Sequence, residues 1–490
     1  MTSGPERLAA AARLDEEGRS AEALVLGWEA LKRAPEDVEA KSLVARLLKR
    51  APSLLGPLDR AALARLLDDP AVDPLDIAPA GWHALTADGL VRADASHGPD
   101  GLARSVEANS LALQLLRACQ VTVLDAELAL TRVRRWLLLS ERWPEFPALS
   151  SALVAQAEHN GGAWPFDEDE RAWLERNPDA PITAAYRPRR GTLGPAAAFA
   201  DPVTKQVADQ YRDWPYPAWS RVGSVAATTI PELVEKLDGG RPSGLPIAGE
   251  LLIAGCGTGR EVAINAMRFP AASITAIDLS ETSLAYAAER CRALGFHRID
   301  FGLLDLHSIG ALGKRFDYIV TSGVLHHLPD PEAGWARLAA VLRPGGAMQV
   351  MVYSKIARLN VRAAQSFIAD LRDRAVDDDL LREVRRRLIE KGRRFIAGSS
   401  DFYTLAGVHD LLLHRHEDPF DIPRIVRALD SMGLELLAFD LPTPQARARY
   451  RREHPHDPAF RDAAAWAALE KSQTWLFSGM YKFWCRKPRP

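Results

Sequence analysis

Cysteine is scarce in this chain: there are four in 490 residues, Cys119, Cys256, Cys291 and Cys485, and no CxxC pair among them. That spacing leaves no readable disulfide framework or structural zinc site and fits a reducing cytoplasm. An excess of either charge is also missing, because 62 Lys and Arg face 64 Asp and Glu for a formal net charge of -2. A chain-wide electrostatic drive towards nucleic acid or anionic lipid is thereby excluded, although local patches are not. No uninterrupted apolar stretch approaches the ~18 residues that span a bilayer, and the opening MTSGPERLAA has neither the basic start nor the apolar run of a signal peptide. What is present is a globular composition, 47% hydrophobic and 26% charged, on a length that at ~150 residues per domain predicts two or three domains.

The front of the chain is written in helices. Over residues 1–50 apolar positions recur at three and four residue intervals, Gly18 breaks the run, Ala23 and Ala30 share a face and Pro35 closes it. This spacing resembles one tetratricopeptide unit, with a plain helical hairpin as the alternative. The helical pattern continues over 51–200, where Leu111, Leu115, Val121, Leu124, Leu128 and Leu130 predict two packed helices. His159, Asn160, Trp164 and Phe166, ahead of the acidic run Asp167 to Glu170, read as a solvated turn beside a buried aromatic. The stretch YRPRRG from Tyr186 reads as a linker, placing a domain boundary near residue 200.

Beyond residue 200 strands and helices alternate. Leu251 to Ala254, Ser273 to Asp278, Asp300 to Leu304, Phe316 to Thr321 and Ala347 to Tyr353 are the predicted strands of a parallel sheet with helices on both faces, so ligands belong beyond the strands' carboxyl ends. The first strand runs into Gly255, Cys256, Gly257, Thr258 and Gly259, a turn in which main-chain amides at a helix start face a ligand. Its glycines alternate as GxGxG, and Arg260 stands where the third glycine of a dinucleotide fingerprint would fall, which points away from a pyrophosphate and disfavours a nicotinamide enzyme. Asp278 closes the second strand, placed to accept both ribose hydroxyls, and Asp305 follows the third, placed to accept from an adenine amine. Singly each acid could be a helix cap or a loop carboxylate; together they describe a nucleoside pocket.

The ordered motifs LLIAGCGTG, AIDLS, GLLDL, FDYIVTSGVLHHL and LRPGG resemble class I S-adenosylmethionine-dependent methyltransferases. More loosely, QYRDWPYPAW, DLSETSLAYA and DFYTLAGVHDLLLHRHE are similar to bacterial members with tetratricopeptide helices ahead of the catalytic domain. The resemblance implies a seven-stranded Rossmann-like α/β domain over 201–490, with a helical insertion at about 357–430 and a last antiparallel strand at Met480 to Cys485, behind an all-α region. It implies S-adenosylmethionine as cofactor, bound by Ala254 through Gly259, Asp278, Leu279, Asp305, Leu306 and Ser322. The acid commonly found two residues before the first motif glycine is Ile253 here, so backbone carbonyls near Ala254 and the loop after the fourth strand would hold the methionine amino group.

For the acceptor, the loop Thr321 to Leu328 lacks the Asn/Asp-Pro-Pro-Tyr of enzymes that methylate nucleobase nitrogens, which makes a nucleic-acid substrate unexpected. His326 and His327 are candidate bases, with packing beneath the cofactor as the other reading. Tyr211 and Tyr216, in a stretch with four aromatics in nine residues, are candidate wall residues. A polar pocket of Tyr403, Asp410, His414 and His416 is expected in place of a metal, because histidines two apart on a helix point in different directions. The basic run Arg385, Arg386, Arg387, Lys391, Arg393 and Arg394 reads as a solvated face. The functional expectation is methyl transfer to an acceptor of unidentified class, a protein held by the front helices or a small molecule; the alternative is a non-catalytic, cofactor-binding adaptor.

Overall fold

The computed structural model describes residues 4–53, 60–91, 98–186, 199, 201–440, 443–474, 476–477 and 479–489. Of the stretch read as a linker, all but Tyr186 lies outside these. Among the described residues no helix is long and apolar enough to cross a membrane.

The front of the chain is all helix up to Pro202–Asp213. Gly4–Glu16, Ser20–Arg33 and Val38–Arg50 pack in succession, the turn after the first made by Gly18 at φ +81°. Asp37 begins the third by accepting from the amides of Glu39 and Ala40, and its Ala40, Leu43, Val44, Leu47 and Leu48 are buried. A single core runs from Ala11 through Leu85 and Leu130 to Trp164, so residues 4–50 share their interior with the helices that follow. The acidic run at 167–170 is the start of helix Glu168–Arg176: Asp167 and Glu170 form a capping box, which also suits the positive end of the helix dipole. Glu170 then pairs with buried Arg134 at 2.9 Å, so the run is only in part a solvated turn.

The second half is a seven-stranded sheet in the order β3-β2-β1-β4-β5-β7-β6. Its strands are β1 Glu250–Ala254, β2 Ser273–Asp278, β3 Ile299–Leu303, β4 Phe316–Ser322, β5 Leu342–Tyr353, β6 Glu435–Asp440 and β7 Met480–Arg486. Neighbours are parallel except that β7 runs antiparallel to both β5 and β6. The order reverses between β1 and β4, where Ala254 lies beside Ile277 on one side and Thr321 on the other. A reversal of this kind opens a crevice at the carboxyl ends of the strands. Strand β5 begins earlier than its apolar run suggests, because Leu342 already pairs with Phe316.

After β5 come the helices Leu359–Ser366, Asp378–Glu390 and Leu405–Leu412, which enclose a core of their own around Leu381, Val384, Phe402 and Tyr403. The expected end of this insertion near 430 needs correction. Helix Ile422–Met432 buries Ile425 and Leu429 in the sheet's core with Trp335, so it belongs to the sheet layer. Two further helices between β6 and β7, Pro444–Glu453 and Ala463–Ser472, stack Tyr450 on Trp466 at 3.7 Å.

The two halves are tied by buried arginines. Arg385, on the insertion, is fully buried and donates through Nη2 to both carboxylate oxygens of Glu127 at 2.8 Å, through Nη1 to Ala163 O at 2.7 Å and through Nε to Phe402 O at 2.6 Å. Arg382 donates to Gly162 O at 2.7 Å. The expectation of a solvated basic face is therefore wrong for Arg385, and holds for Arg386 and Arg387, which pair with Glu383, Glu390 and Asp370 on the surface. Further along, Arg260 donates to Asp73 at 2.7 Å and Arg221 to Leu67 O at 2.5 Å.

Candidate active site

The site grows from the turn after β1. Gly255, Gly257 and Gly259 have φ of +72°, +51° and +87°, left-handed values that only glycine adopts without strain. A side chain at Gly259 would also meet Ala287 Cβ at 2.7 Å, and one at Gly257 would meet Tyr216 O at 2.9 Å. The turn delivers the chain into helix Arg260–Arg268 with its amides towards the crevice. Gly255 and Cys256 donate to Ile277 O, both at 2.9 Å. Asp278 locks the loop from the side: one carboxylate oxygen accepts from Gly257 N at 2.7 Å, the other from Ser280 N at 2.9 Å. Burial pushes the Asp278 carboxyl up, against the pull of those amides and that of Leu279.

The other residues expected to hold a cofactor fall around this turn. Ala254 ends β1, and Leu279 and Ser322 stand half-exposed after β2 and at the end of β4. Asp305 accepts from His307 N at 2.9 Å and so caps the short helix Leu306–Leu312, whose Leu306 is buried, while its carboxylate stays partly open to the crevice. Ile253 is a core residue of β1.

Residues 211–219 lie across the turn. Thr258 Oγ1 donates to Pro217 O at 2.6 Å, Trp219 Nε1 to Thr258 O at 2.9 Å, and Ser280 Oγ to Tyr211 O at 3.1 Å. The backbone of this segment thus grips the loops after β1 and β2, while its tyrosine hydroxyls reach the other way into the insertion. Tyr211 donates to Asp410 Oδ1 at 2.7 Å, and Tyr216 to Asp401 Oδ1 at 2.8 Å. Tyr353, at the end of β5, donates to the second oxygen of Asp410 at 3.3 Å. On the outer side of the segment a cleft of about 1210 Å³ separates the halves, lined by Tyr186, Trp214, Tyr286 and Arg382 among others.

Histidines complete the cluster. His416 N donates to His414 Nδ1 at 3.1 Å, which leaves the proton of a neutral His414 on Nε2, 3.2 Å from the Tyr211 hydroxyl. His414 can thus donate to Tyr211, which donates to Asp410. His327 Nδ1 lies 2.8 Å from His416 O and must donate to it, so its Nε2 bears a lone pair. His326 Nδ1 accepts from Tyr353 N at 3.2 Å. Burial holds all three rings well below the ordinary histidine range, and they are neutral. Burial drives Asp410 the opposite way, up to about 7, and raises Asp401 too.

Asp410, His414, His326, His327, Tyr211 and Tyr216 therefore meet in one place, with His416 contributing its main chain. Tyr403 does not join them: its ring lies in the insertion core and its hydroxyl donates to Ala397 O at 2.8 Å. The position two residues earlier, Asp401, faces the cluster instead. Asp401 and Tyr353 were missed; the end of a central strand, where Tyr353 stands, was the available signal. Ligand atoms of His327, Asp410 and His414 lie within 4.8 Å of one another. The two imidazoles, however, are stacked with centroids 3.6 Å apart and planes 19° apart. In-plane lone pairs so arranged cannot converge on one ion at about 2.0–2.1 Å, and His414 Nε2 carries a proton.

Residues 252–348 match the family model described as methyltransferase domain. An uncharacterized protein of Synechococcus is 33% identical over 273 residues, covering 50% of this chain and 61% of the relative. Trans-aconitate 2-methyltransferase of Deinococcus radiodurans is 38% identical over 99 residues, covering 20% of this chain and 35% of that enzyme. The matches thus span less than two thirds of these relatives' lengths. Among solved structures, PKMT2 from Rickettsia typhi in complex with AdoHcy overlaps at TM-score 0.40 and 15% identity, covering 56% of this chain and 55% of that one, a likeness too loose to speak to function. From β1 into β5, then, the sheet carries the sequence signature of a methyltransferase domain.

Proposed function

We propose that the protein is an S-adenosylmethionine-dependent methyltransferase. The observation that carries this reading is one continuous construction: the glycine turn locked by Asp278 at the reversal of strand order, roofed by residues 211–219, whose tyrosines pass directly to the buried cluster around Asp410. The residues fit the cofactor. The loop excludes a Cβ where it meets the roof at Gly257, and two partly open carboxylates, Asp278 and Asp305, follow adjacent strands where ribose hydroxyls and an adenine amine need acceptors. The amides of the turn and the carbonyl of Ala254 would hold the amino-acid end. When bound, the cofactor supplies a methyl group on a sulfonium, ready for in-line displacement.

The chain's own part is positioning and proton handling. Tyr211 and Tyr353 hold the two oxygens of Asp410, and His414 orients Tyr211 through its Nε2 proton. Asp410 is thereby a base whose affinity for protons, near 7, matches the pH of its task. In this reading the helices of residues 4–50 form a tetratricopeptide-like surface and the protein works in the cytoplasm. The test is calorimetry with S-adenosylmethionine: saturable binding is expected, lost in Asp278→Ala, and an unmodified protein that binds none refutes the assignment.

A further inference from the structure

We infer that the group methylated is an aliphatic amine, taken up as its ammonium ion between Asp401 and Asp410; this rests on the methyltransferase reading above. The argument is a charge count. Facing the cluster from the roof segment are Tyr211 and Tyr216, from β5 Tyr353, and from the loop after β4 the neutral His326 and His327. From the insertion come Asp401, Asp410, neutral His409 and His414, with His416 and Glu417 behind them. Arg358 supplies the one cation these items place there, stacked over Tyr353 at 4.2 Å, and it is hydrogen-bonded to Glu417. That pair cancels, so Asp401 and Asp410 stand with two carboxyl groups and no cation of their own. A sulfonium beside them answers one negative charge; the other is left for the acceptor.

Geometry agrees. Tyr211, Tyr216, Tyr353 and Asp401 remain half-exposed while Asp410 is buried, so the carboxyls and ring edges line a recess and do not fill a core. Asp401 accepts from Tyr216 and, through its other oxygen, from Ser399 Oγ at 3.1 Å, and so has lone pairs left for an ammonium. The aromatic walls suit a cation and offer an anion nothing. An acceptor carboxylate would add a third negative charge to a site without a free positive one.

The step balances as follows. The ammonium gives one proton to the Asp410 carboxylate, and in a poorly solvated site the neutral pair of amine and carboxylic acid is favoured over the ion pair. The amine lone pair forms the new N–C bond to the methyl carbon as the C–S bond breaks. That bond's electrons return to sulfur, leaving neutral S-adenosylhomocysteine, and the positive charge passes to the methylated ammonium. The proton on Asp410 is the one released to solvent.

The experiment is calorimetry on the full chain with S-adenosylhomocysteine bound, using n-propylammonium and propionate as matched probes. The ammonium is expected to bind more tightly, and to lose at least tenfold in affinity in Asp401→Asn and in Tyr216→Phe. Propionate binding as tightly as the ammonium, or an ammonium affinity indifferent to both substitutions, overturns the inference. Radiolabel from S-adenosylmethionine transferred into cell extract should survive acid hydrolysis on nitrogen; label released by mild base as methanol also overturns it. Failure to bind S-adenosylhomocysteine at all would sink the methyltransferase reading itself, and is read out separately.

Discussion

The ion pair that ties the insertion to the front helices yields a sharp energetic prediction. Glu127 and Arg385 are both fully buried, and the guanidinium makes four of its hydrogen bonds to this carboxylate and to the carbonyls of Ala163 and Phe402. Glu127→Leu leaves those two carbonyls in place but removes the only countercharge they share, stranding a cation without water. Breaking one partner of a buried pair costs about 3–5 kcal/mol, whereas replacing both with apolar residues of similar volume is often near neutral. We therefore expect Glu127→Leu to lower the unfolding free energy by about 3–5 kcal/mol in urea titration. The double variant with Arg385→Met should recover most of that. A coupling energy below about 1 kcal/mol in the double-mutant cycle would refute the reasoning, because the pair would then be no more than two independent side chains. Helix Asp378–Glu390 carries Arg385 under Phe402, next to Asp401. The single variant should accordingly weaken binding of the ammonium probe while leaving S-adenosylmethionine affinity unchanged.

Asp278→Ala removes the acceptor of two loop amides as well as the expected ribose contact, and should weaken S-adenosylmethionine by about 3 kcal/mol, roughly a hundredfold in calorimetric Kd. Gly259→Ala should cost at least about 2 kcal/mol in urea unfolding, from φ +87° and the 2.7 Å approach to Ala287 Cβ; Ala287→Gly should return only the part due to contact. Asp410 must be ionised to accept a proton, and burial lifts it to about 7, so kcat/KM should be full above that pH and fall tenfold per unit below it. Asp410→Asn should abolish the limb along with turnover, and a profile flat from pH 5 to 8 in the unmodified enzyme would remove Asp410 as the base.

The sheet and the glycine turn were legible because their chemistry is local. A strand, three alternating glycines and an acid at the end of the next strand are neighbours in sequence, and the structure joins Gly257 to Asp278 directly. The cluster around Asp410 was half legible: its types were right, but Tyr403 was taken for Asp401, since in a short 3-10 turn two positions so close face opposite ways. Arg385 was misread for a different reason. Flanked by Arg386 and Arg387, it looks like a solvated face, and its partner Glu127 lies 258 residues earlier, beyond the reach of any pattern in the helix itself. Helix Ile422–Met432 was assigned to the insertion because amphipathic periodicity reports that a face is buried and is silent about what it is buried against.

Arg260, the residue that replaces a dinucleotide glycine, bonds from the first turn after the glycine loop to Asp73 in the front half, itself 3% exposed. The helix whose amino end must face the cofactor is thus held in place by a residue from the opposite end of the chain. Trimming the protein to its sheet would cut that tether and bare a carboxylate-sized gap beside the loop, so the front helices are heritable only together with the catalytic half, as one evolutionary unit.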